Sequence, residues 1–416
     1  MAKNVILMRH GESEANARGV WQGIGSSALT AKGRLQAERA GPRLAARSIA
    51  LVESSDLQRC IDTARAAGFE PESRVAWREG DVGEWEGRDR DYVTTRFGKE
   101  LERLHHDYDM PVGVTGESSG EVARRSLEAV HELVDRLDEG QTALVVTHAG
   151  LIGALLRRLL DLPTDRRRIG VVSNTALCEL TFRAGDAAIR TFNDAAHLGR
   201  RAIGSAETRL TRGVVLELVR CETSPANPER SGRRCRDRRH PGGRAEATWL
   251  QGGIGEVDEV YCSPSGRAAG MARMVFGQAP VPVPGLGEID LGESSADSWP
   301  EVRLGDRGGS RVRDESRSGP GNTGETWREV QSRTSSFLGT LPDVHLGQRV
   351  AAVSHGGVIR ACAGSVLGFA SRKARMLGSL ANASVTRVVV QGSGKPVLAT
   401  YNTTGHLETD QHHLPG

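Results

Sequence analysis

The sequence predicts an α/β fold made of two tandem domains, and two observations carry this prediction. Short apolar runs typical of buried strands alternate with stretches in which apolar residues recur every three or four positions, the pattern of helices that cover both faces of a sheet. Segments of the first half also recur, in the same order, about 208 residues later. We therefore expect three layers (helix, sheet, helix) in each of the two copies.

The elements of the first copy follow from this pattern in chain order. A first strand is predicted over 4–9, where an apolar run ends in a polar turn. A second strand is predicted over 49–52, and a third over the apolar residues that precede His148. Four other stretches have helical periodicity: 31–46, 57–67, 119–137 and 151–160.

The second copy repeats charged and polar residues of the first copy at a nearly constant spacing. Arg267 follows Arg59 by 208 positions, and His355 follows His148 by 207. The other matching pairs are Arg9 with Arg220, Glu79 with Glu288, and the tripeptide 116–118 with 324–326. Because the intervening segment is polar and lacks periodicity, we predict domains over 1–200 and 213–416, joined by a linker over 201–212.

The composition excludes several classes of protein. The 55 basic and 52 acidic residues nearly balance, which argues against a disordered chain and against a protein that coats a polyanion. No stretch approaches the roughly 18 apolar residues that a membrane span needs. The six cysteines form no C-x-x-C pair, unlike those of a zinc ribbon. We expect a cytoplasmic protein with reduced thiols, without a membrane or nucleic-acid partner.

Several strand and loop ends of the first copy carry polar side chains suited to a phosphate. Arg9 and His10 end the first strand, Arg59 opens the helix after the second, and His148 follows the third. Glu79 lies in a loop punctuated by glycine. A single histidine after a strand is more often structural, but this set brings two guanidiniums, two imidazoles and a carboxyl group together. Since α/β sheets bind ligands at the carboxyl ends of their strands, the set indicates a phosphate pocket.

These residues lie in motifs that resemble those of the histidine phosphatase superfamily, which includes the cofactor-dependent phosphoglycerate mutases and many small-molecule phosphatases. The resemblance spans nearly all of residues 1–200, and the implied fold is phosphoglycerate mutase-like. It rests on the segments RHGESEAN (9–16), QG (22–23), SDLQR (55–59), GEWEG (83–87), GES (116–118) and VVTH (145–148), together with Glu79.

The resemblance implies a role for each of these residues. His10 would attack phosphorus and become a phosphohistidine that water later hydrolyses. Arg9, Arg59 and His148 would stabilise the negative charge of the transferring group, and Glu79 would serve as general acid and then as base. The residues expected to bind substrate are Gly11, Asn16, Gln22 and Gly23. The resemblance implies no metal and no cofactor.

The segment 88–113 is expected to form the lid of this pocket. In the mutases the corresponding segment resembles a long insertion, whereas here it looks short. The short segment favours a phosphatase, which hydrolyses the ester, over a mutase. Its polar residues could contact substrate, but an amphipathic helix with Phe97, Leu101 and Leu104 inward explains them equally well. A phosphomutase remains the alternative activity.

The second copy keeps Arg220, Arg267, Glu288 and His355 but has lost the attacking histidine. Whether Cys221 replaces His10 or a deletion shifts the alignment by one residue stays open, because neighbouring offsets drift. A thiolate phosphoryl acceptor and a metal site that includes Cys262 are the two minor alternatives for Cys221. The favoured interpretation is a degenerate remnant pocket, with poorly periodic segments at 225–243 and 300–324.

The sequence predicts a metal-independent phosphomonoesterase for a small phosphorylated metabolite, such as a sugar or polyol phosphate. The second copy would be structural, would bind an effector, or would be a scaffold that recruits the enzyme to a pathway partner. Whether copies of the chain associate into a homo-oligomer stays open.

Overall fold

A computed structural model of the chain describes residues 2–104, 106–162, 168–199, 213–221, 247–248, 250–251, 254–290, 324–369, 373, 376–392 and 395–407. They belong to two compact units, Met1–Ala206 and Glu207–Gly416. The predicted linker, 201–212, and the segment 225–243 lie outside the described residues, as does 300–324 apart from its last residue. Within the described part of the chain, no helix is long and apolar enough to cross a bilayer.

The sheet of the first unit joins parallel and antiparallel strands. The strands are β1 (Lys3–Arg9), β2 (Ile49–Ser55), β3 (Glu72–Arg74), β4 (Thr142–Thr147), β5 (Leu177–Arg183) and β6 (Asp186–Asp194). They are hydrogen-bonded in the order β3-β2-β4-β1-β5-β6. The first four in that order run parallel, while β5 and β6 are antiparallel to their neighbours. The carboxyl ends of β1, β2 and β4 therefore meet at one edge.

The helices of the first unit agree closely with the prediction. They are α1 (Glu14–Arg18), α2 (Ala31–Ala45), α3 (Gln58–Ala66), α4 (Arg90–Arg96), α5 (Gly98–Arg103), α6 (Ser119–Asp135) and α7 (Ala149–Leu159). The four helices predicted from periodicity are confirmed as α2, α3, α6 and α7. Helix α7 begins two residues before the predicted start because His148 itself is the N-cap residue.

Helices cover both faces of this sheet, which confirms the predicted α/β class. Ile6 and Met8 of β1 pack against α2 and α3, where they contact a cluster that includes Leu44. Val5 and Leu7, which alternate with them along the strand, point to the opposite face. Helices α6 and α7 pack on each other and on β1.

The segment 88–113 forms two short helices, α4 and α5, rather than the single amphipathic helix that its pattern allowed. The two helices meet at Phe97, which is the C-cap of α4 and the N-cap of α5. Phe97 and Leu101 pack, as expected for inward residues, against a buried cluster that includes Trp85 and Leu104.

The second unit repeats the topology of the first. Its strands are β7 (Gly213–Arg220), β8 (Glu259–Cys262), β9 (Val281–Pro282), β10 (Arg349–Ser354), β11 (Val385–Gln391) and β12 (Pro396–Thr403), and its helices include α8 (Gly266–Phe276), α9 (Trp327–His345) and α10 (Gly356–Leu367). The strand order is β9-β8-β10-β7-β11-β12, with β7, β8, β9 and β10 parallel. Helix α8 packs against β8 and β10, while α9 and α10 pack on each other and on β7.

A buried ion pair distinguishes the central strand β7 from β1. Glu217 is fully buried and accepts hydrogen bonds from Arg387 Nε (2.8 Å) and Arg349 Nη1 (2.9 Å). In the pairing of β7 with β11, Glu217 lies opposite Arg387. The corresponding residue of β1 is Ile6, which lies opposite Glu179 of β5.

Candidate active site

The structure brings the predicted residues of the first unit together at the carboxyl edge of its sheet. Arg9 ends β1 and His10 follows it, while His148 follows β4, which is parallel to β1. Arg59 lies in the first turn of α3, directly after β2. The imidazole rings of His10 and His148 are edge to face, with their centroids 5.1 Å apart.

His10 is held as a neutral imidazole with a defined tautomer. Its side chain is 3% exposed, and Nδ1 lies 2.7 Å from the carbonyl oxygen of Gly11. Because a carbonyl oxygen can only accept, Nδ1 must carry the proton, which leaves the lone pair on Nε2. Burial, followed by the charges of Arg9 and Arg59, lowers the pKa of His10 well below its usual value. Nε2 is therefore available as a nucleophile at neutral pH.

Gly11 allows two chain segments to approach each other closely beside His10. A Cβ atom at Gly11 would lie 2.3 Å from the carbonyl oxygen of Gly33, so no larger residue fits without moving the backbone. The amide of Gly11 donates to Thr63 Oγ1 (3.0 Å), and this hydroxyl in turn donates to the carbonyl of Arg59 (2.6 Å). Gly11, the residue after His10, is thus fixed to helix α3, which carries Arg59.

Arg9 is held by contacts at the end of its strand. Its Nη1 donates to the carbonyl of Val172 (2.8 Å) and its Nη2 to Asn16 Oδ1 (3.1 Å). Asn174 Nδ2 donates to the same Asn16 oxygen and to the carbonyl of His10, both at 3.0 Å. Burial lowers the pKa of Arg9 to about 10, so the guanidinium remains charged at neutral pH.

Arg59 is 1% exposed and links His148 to the backbone of the segment 23–25. Its Nη1 donates to the carbonyl of Gly25 (2.9 Å), and its Nη2 donates to the carbonyl of Gly23 (2.6 Å) and to His148 Nδ1 (3.3 Å). Gly23, predicted to bind substrate, therefore positions Arg59 through its backbone. Burial, followed by the charges of His10 and Arg59, lowers the pKa of His148 well below its usual value.

Three buried nitrogen atoms near this site have no hydrogen-bond partner among the described residues. They are Nε of Arg9, Nε of Arg59 and Nε2 of Gln22. The oxygen of the Gln22 amide accepts from Ser13 Oγ (2.8 Å), which fixes the orientation of the amide. Buried donors without an acceptor are costly, and an oxyanion would satisfy donors of this kind.

Glu79 is fixed at the first turn of α7. Its carboxylate accepts from the backbone amides of Gly150 (3.0 Å) and Leu151 (2.9 Å), and also from the amide of Gly80 (3.1 Å). A Cβ atom on Gly150 would lie 2.5 Å from Glu79 Oε1, so glycine is needed for this approach. The negative charge of Glu79 also acts on both arginines of the site.

The role of Arg125 was not anticipated from the sequence. Its Nε donates to Glu117 Oε1 (2.7 Å), its Nη1 to the carbonyl of Ala76 (2.8 Å) and its Nη2 to the carbonyl of Glu79 (3.2 Å). Arg125 thus supports the backbone that carries Glu79. The signal was present in the sequence, since the tripeptide 116–118 and an arginine eight residues after its glutamate recur together in the second copy.

The second unit settles the alignment that the sequence left open. The amide of Cys221 donates to the carbonyl of Ser354 (2.8 Å), just as the amide of His10 donates to the carbonyl of Thr147 (2.9 Å). Arg220 is paired with Ser354 in the register of β7 and β10. Cys221 therefore occupies the position of His10, and no residue has been deleted between the arginine and this position.

The frame around Cys221 repeats the frame of the first pocket. Nη1 of Arg220 donates to the carbonyl of Leu380, as Nη1 of Arg9 does to Val172. Nη2 of Arg267 lies 3.2 Å from His355 Nδ1, matching the contact of Arg59 with His148.

The support of the acidic residue is repeated as well. Arg333 donates to Glu325 Oε1 (2.8 Å), to the carbonyl of Gly285 (2.6 Å) and to the carbonyl of Glu288 (3.5 Å). These three contacts correspond to those of Arg125 in the first unit.

The side chains within the second frame interact differently from those of the first. His355 Nδ1 lies 3.4 Å from Cys221 Sγ and 3.0 Å from Glu288 Oε2, and His355 Nε2 lies 2.8 Å from Ser263 Oγ. Although burial opposes the charge of His355, Cys221 and Glu288 raise the pKa of this imidazole to about 10. Burial raises the pKa of the Cys221 thiol, but the charge of His355 and its hydrogen bond outweigh burial, so the net shift is downward.

The metal site considered for Cys221, Cys262 and His355 is not formed. Within the residues that the structure describes, no group of three or more histidine, cysteine, aspartate or glutamate side chains is placed to hold a metal ion.

The chain resembles proteins of known sequence in both units. The family model of the histidine phosphatase superfamily (branch 1) matches residues 5–195 and 240–404. A glucosyl-3-phosphoglycerate phosphatase of Mycolicibacterium vanbaalenii is 37% identical over 174 residues, which cover 39% of this chain and 76% of that protein. A probable phosphoglycerate mutase, GpmB, of Salmonella choleraesuis is 31% identical over 211 residues, which cover 48% of this chain and 96% of that protein.

The chain is also similar to proteins of solved structure. Bacillus stearothermophilus YhfR is 29% identical, with a TM-score of 0.45, and the match covers 47% of this chain and 100% of YhfR. The mycobacterial glucosyl-3-phosphoglycerate phosphatase in complex with VO3 is 29% identical, with a TM-score of 0.42, and covers 45% of this chain. The match extends over 96% of that protein. With the family model matching most of both units, the chain belongs to the histidine phosphatase superfamily and is a phosphoric monoester hydrolase.

Proposed function

We propose that the first unit hydrolyses phosphate monoesters of small phosphorylated metabolites through a phosphohistidine on His10. The observation that carries this proposal is the neutral imidazole, whose Nδ1 is occupied by the Gly11 carbonyl and whose Nε2 keeps its lone pair. Attack of Nε2 on phosphorus forms the N–P bond and releases the alcohol, and water then cleaves the N–P bond.

Arg9, Arg59 and His148 stabilise the transferring phosphoryl group in this proposal. The transition state spreads negative charge over the phosphoryl oxygens, and donors already fixed in a buried site stabilise that charge without reorganisation. The unpartnered Nε atoms of Arg9 and Arg59 and the Nε2 atom of Gln22 support the presence of an oxyanion here. All of the groups in this mechanism come from the first unit.

Glu79 transfers the protons of the reaction in this proposal. It begins the cycle protonated and gives this proton to the leaving alkoxide oxygen, and the carboxylate so formed takes a proton from the attacking water, which restores the starting state. The amides of Gly150 and Leu151 and the support of Arg125 under its backbone hold the carboxyl group in one orientation.

The substrate class we propose is a sugar or polyol phosphate. The support is the similarity to one relative, a glucosyl-3-phosphoglycerate phosphatase. A second candidate is a phosphomutase, because another relative is a probable phosphoglycerate mutase. The short segment 88–113, with its two short helices, favours hydrolysis over retention of a phosphorylated intermediate.

The test is phosphate release by the full chain, in chelator, from a panel of sugar, polyol, nucleotide and glycolytic phosphoesters. His10→Ala is expected to lower turnover by about 10⁴-fold or more, as loss of a nucleophile does in other enzymes. His131→Ala, at an exposed histidine of α6, is the matched control and is expected to retain turnover. Full turnover in His10→Ala would exclude the phosphohistidine, and isomerisation of a phosphoglycerate without phosphate release would favour the mutase.

A further inference from the structure

We propose that the second unit carries a nucleophile of its own, the thiolate of Cys221, which accepts the phosphoryl group of a small phosphate monoester. The ligand class rests on the phosphate chemistry proposed for the first unit, whereas the nucleophile is argued from contacts within the second.

Cys221 lies in the second unit at the position that His10 takes in the first. It follows Arg220 at the end of β7, and its amide bonds to the strand that precedes His355. Its exposed fraction, 4%, is close to the 3% of His10 in the first unit. Burial to this degree is therefore what the pocket of this fold imposes on the residue at this position.

Contacts around His355 favour a thiolate. Two acceptors, Cys221 Sγ and Glu288 Oε2, lie within 3.4 Å of His355 Nδ1, against one donor, Arg267 Nη2. A proton on Nδ1 serves both acceptors, and the resulting imidazolium stabilises the thiolate. Ser263 Oγ lies 2.8 Å from Nε2 and can accept a hydrogen bond from a protonated Nε2, so both ring nitrogens can carry a proton.

Cys60 shows that a cysteine beside a histidine is not by itself ionised in this fold. Its Sγ lies 3.3 Å from His148 Nε2 in the first unit, and the thiol donates to the carbonyl of Thr147. Burial raises the pKa of the Cys60 thiol. The difference is the carboxylate, because Glu79 bonds to backbone amides while Glu288 bonds to His355.

The second pocket keeps the groups that would hold phosphoryl oxygens. Arg220 repeats the contact of Arg9 with a backbone carbonyl, and Arg267 repeats the contact of Arg59 with the histidine after the parallel strand. The thiolate adds a negative charge relative to a neutral imidazole, but the charged His355 compensates it. The net charge that surrounds a bound phosphate is therefore preserved between the two pockets.

The transfer step balances without another reactant. A lone pair of Sγ forms the S–P bond as the P–O bond to the alcohol breaks. The departing oxygen takes the proton held between His355 and Glu288, which leaves a neutral imidazole, a free alcohol and S-phosphocysteine at Cys221.

The experiment uses the full chain carrying His10→Ala, so that the first pocket is silent, with p-nitrophenyl phosphate as the probe. We expect a burst of nitrophenolate close to one equivalent of protein, and a phosphoryl group on the Cys221 peptide after quenching in neutral denaturant. Adding Cys221→Ser should remove both signals. Cys262→Ser is the matched control, since Cys262 lies in the same buried cluster at the end of strand β8, and it should leave both unchanged.

Alkylation by iodoacetamide at neutral pH is an independent readout of the thiolate. Cys221 should react on the order of tenfold faster than the buried Cys262 and Cys362 of the same chain, whose thiols are protonated. Inorganic phosphate should slow the reaction at Cys221 alone.

Two results would overturn the proposal. Equal alkylation of the three cysteines would exclude the thiolate, and fast alkylation without phosphoryl on Cys221 would exclude the transfer. Failure of the first-unit proposal would show separately, as wild-type turnover that does not depend on His10.

Discussion

The two pockets of this chain share the same arrangement of strand ends and arginine contacts, but they differ in the protonation of the equivalent histidines, His148 and His355. In the first, His148 accepts from Arg59 and stays neutral. In the second, His355 has the same arginine contact but also faces Cys221 and Glu288, and its pKa rises to about 10. The exchange of His10 for Cys221 and the contact of the Glu288 carboxylate with His355 thus make the equivalent buried imidazole charged rather than neutral.

The difference shows which part of such a site resists sequence change. The shared frame combines arginine side-chain contacts with bonds between backbone amides and carbonyls, such as those that join the residue after the arginine to the neighbouring strand in both units. The backbone bonds do not depend on side-chain identity. The chemistry depends on a few side chains, so it can change while the frame is retained.

After His10, the largest effect is expected at the acidic residues. Glu79→Gln should lower kcat for phosphate release by about 10² to 10⁴-fold, because it removes the proton donor and acceptor. Glu132→Gln on the outside of α6 should have no effect. In the second pocket the equivalent change, Glu288→Gln, should slow alkylation of Cys221 instead, because it weakens the charge on His355. Unchanged kcat in Glu79→Gln would remove Glu79 from the mechanism.

A smaller effect is expected at Arg59. Arg59→Lys should lower kcat/KM by about 10² to 10³-fold, because lysine cannot bond to the Gly23 and Gly25 carbonyls while also facing His148. Steady-state kinetics would measure it. Arg65→Lys, on the same helix and exposed, is the control. Wild-type kinetics in Arg59→Lys would mean that a point charge suffices.

Arg125 should have a weaker and more selective effect. Arg125→Ala removes the support under Glu79 and should lower kcat by about tenfold to 10²-fold while KM changes little, because small displacements of a catalytic group are costly. Arg125→Lys should recover part of the loss, and the exposed Arg124→Ala should show none. A parallel fall in melting temperature with unchanged kcat would indicate a structural role alone.

The smallest effect is expected from pH on stability, and it should differ between the units. His10, His148 and His197 have lowered pKa values when folded, so the unfolded chain binds protons there that the folded chain does not. Each lowers the free energy of unfolding by about 1.4 kcal/mol per pH unit below 6.5. For His197 this window ends near its folded pKa of about 4.

In the second unit the proton count nearly cancels near neutral pH. The lowered pKa of Cys221 makes the folded thiol release its proton more readily than the unfolded one, while the raised pKa of His355, about 10, makes the folded imidazole keep a proton that the unfolded one loses above pH 6.5, so the two contributions oppose each other. Hydrogen exchange of β1 and β4 against β7 and β10, at pH 7.5 and 5.5, measures the difference. Equal loss of protection in both units would contradict these protonation states.

The sequence was sufficient for the elements and for the first pocket. Parallel strands share an edge, so polar residues directly after them, such as His10 and His148, must lie close together. Boundaries were less certain, because the break at Phe97 between α4 and α5 is accompanied only by Gly98, and a single glycine within a helical pattern does not fix a boundary.

The alignment and the charges of the second pocket could not be predicted from the sequence in the same way. The alignment of Cys221 depends on one backbone hydrogen bond to β10, which no composition or spacing reveals. The charge of His355 depends on contacts near 3 Å with Cys221 and Glu288, which lie on separate elements far apart in the chain. Such distances follow from packing rather than from local pattern.

Two copies of one fold on a single chain carry a hazard during folding, since equivalent strands could exchange places. The buried Glu217 of β7 would make such an exchange unfavourable. In the first sheet β7 would place Glu217 opposite Glu179 rather than Arg387, and in the second sheet β1 would offer Ile6 to Arg387. Either exchange buries an unpaired charge, which is strongly unfavourable. The ion pair therefore favours the pairing of each strand with partners from its own half of the chain.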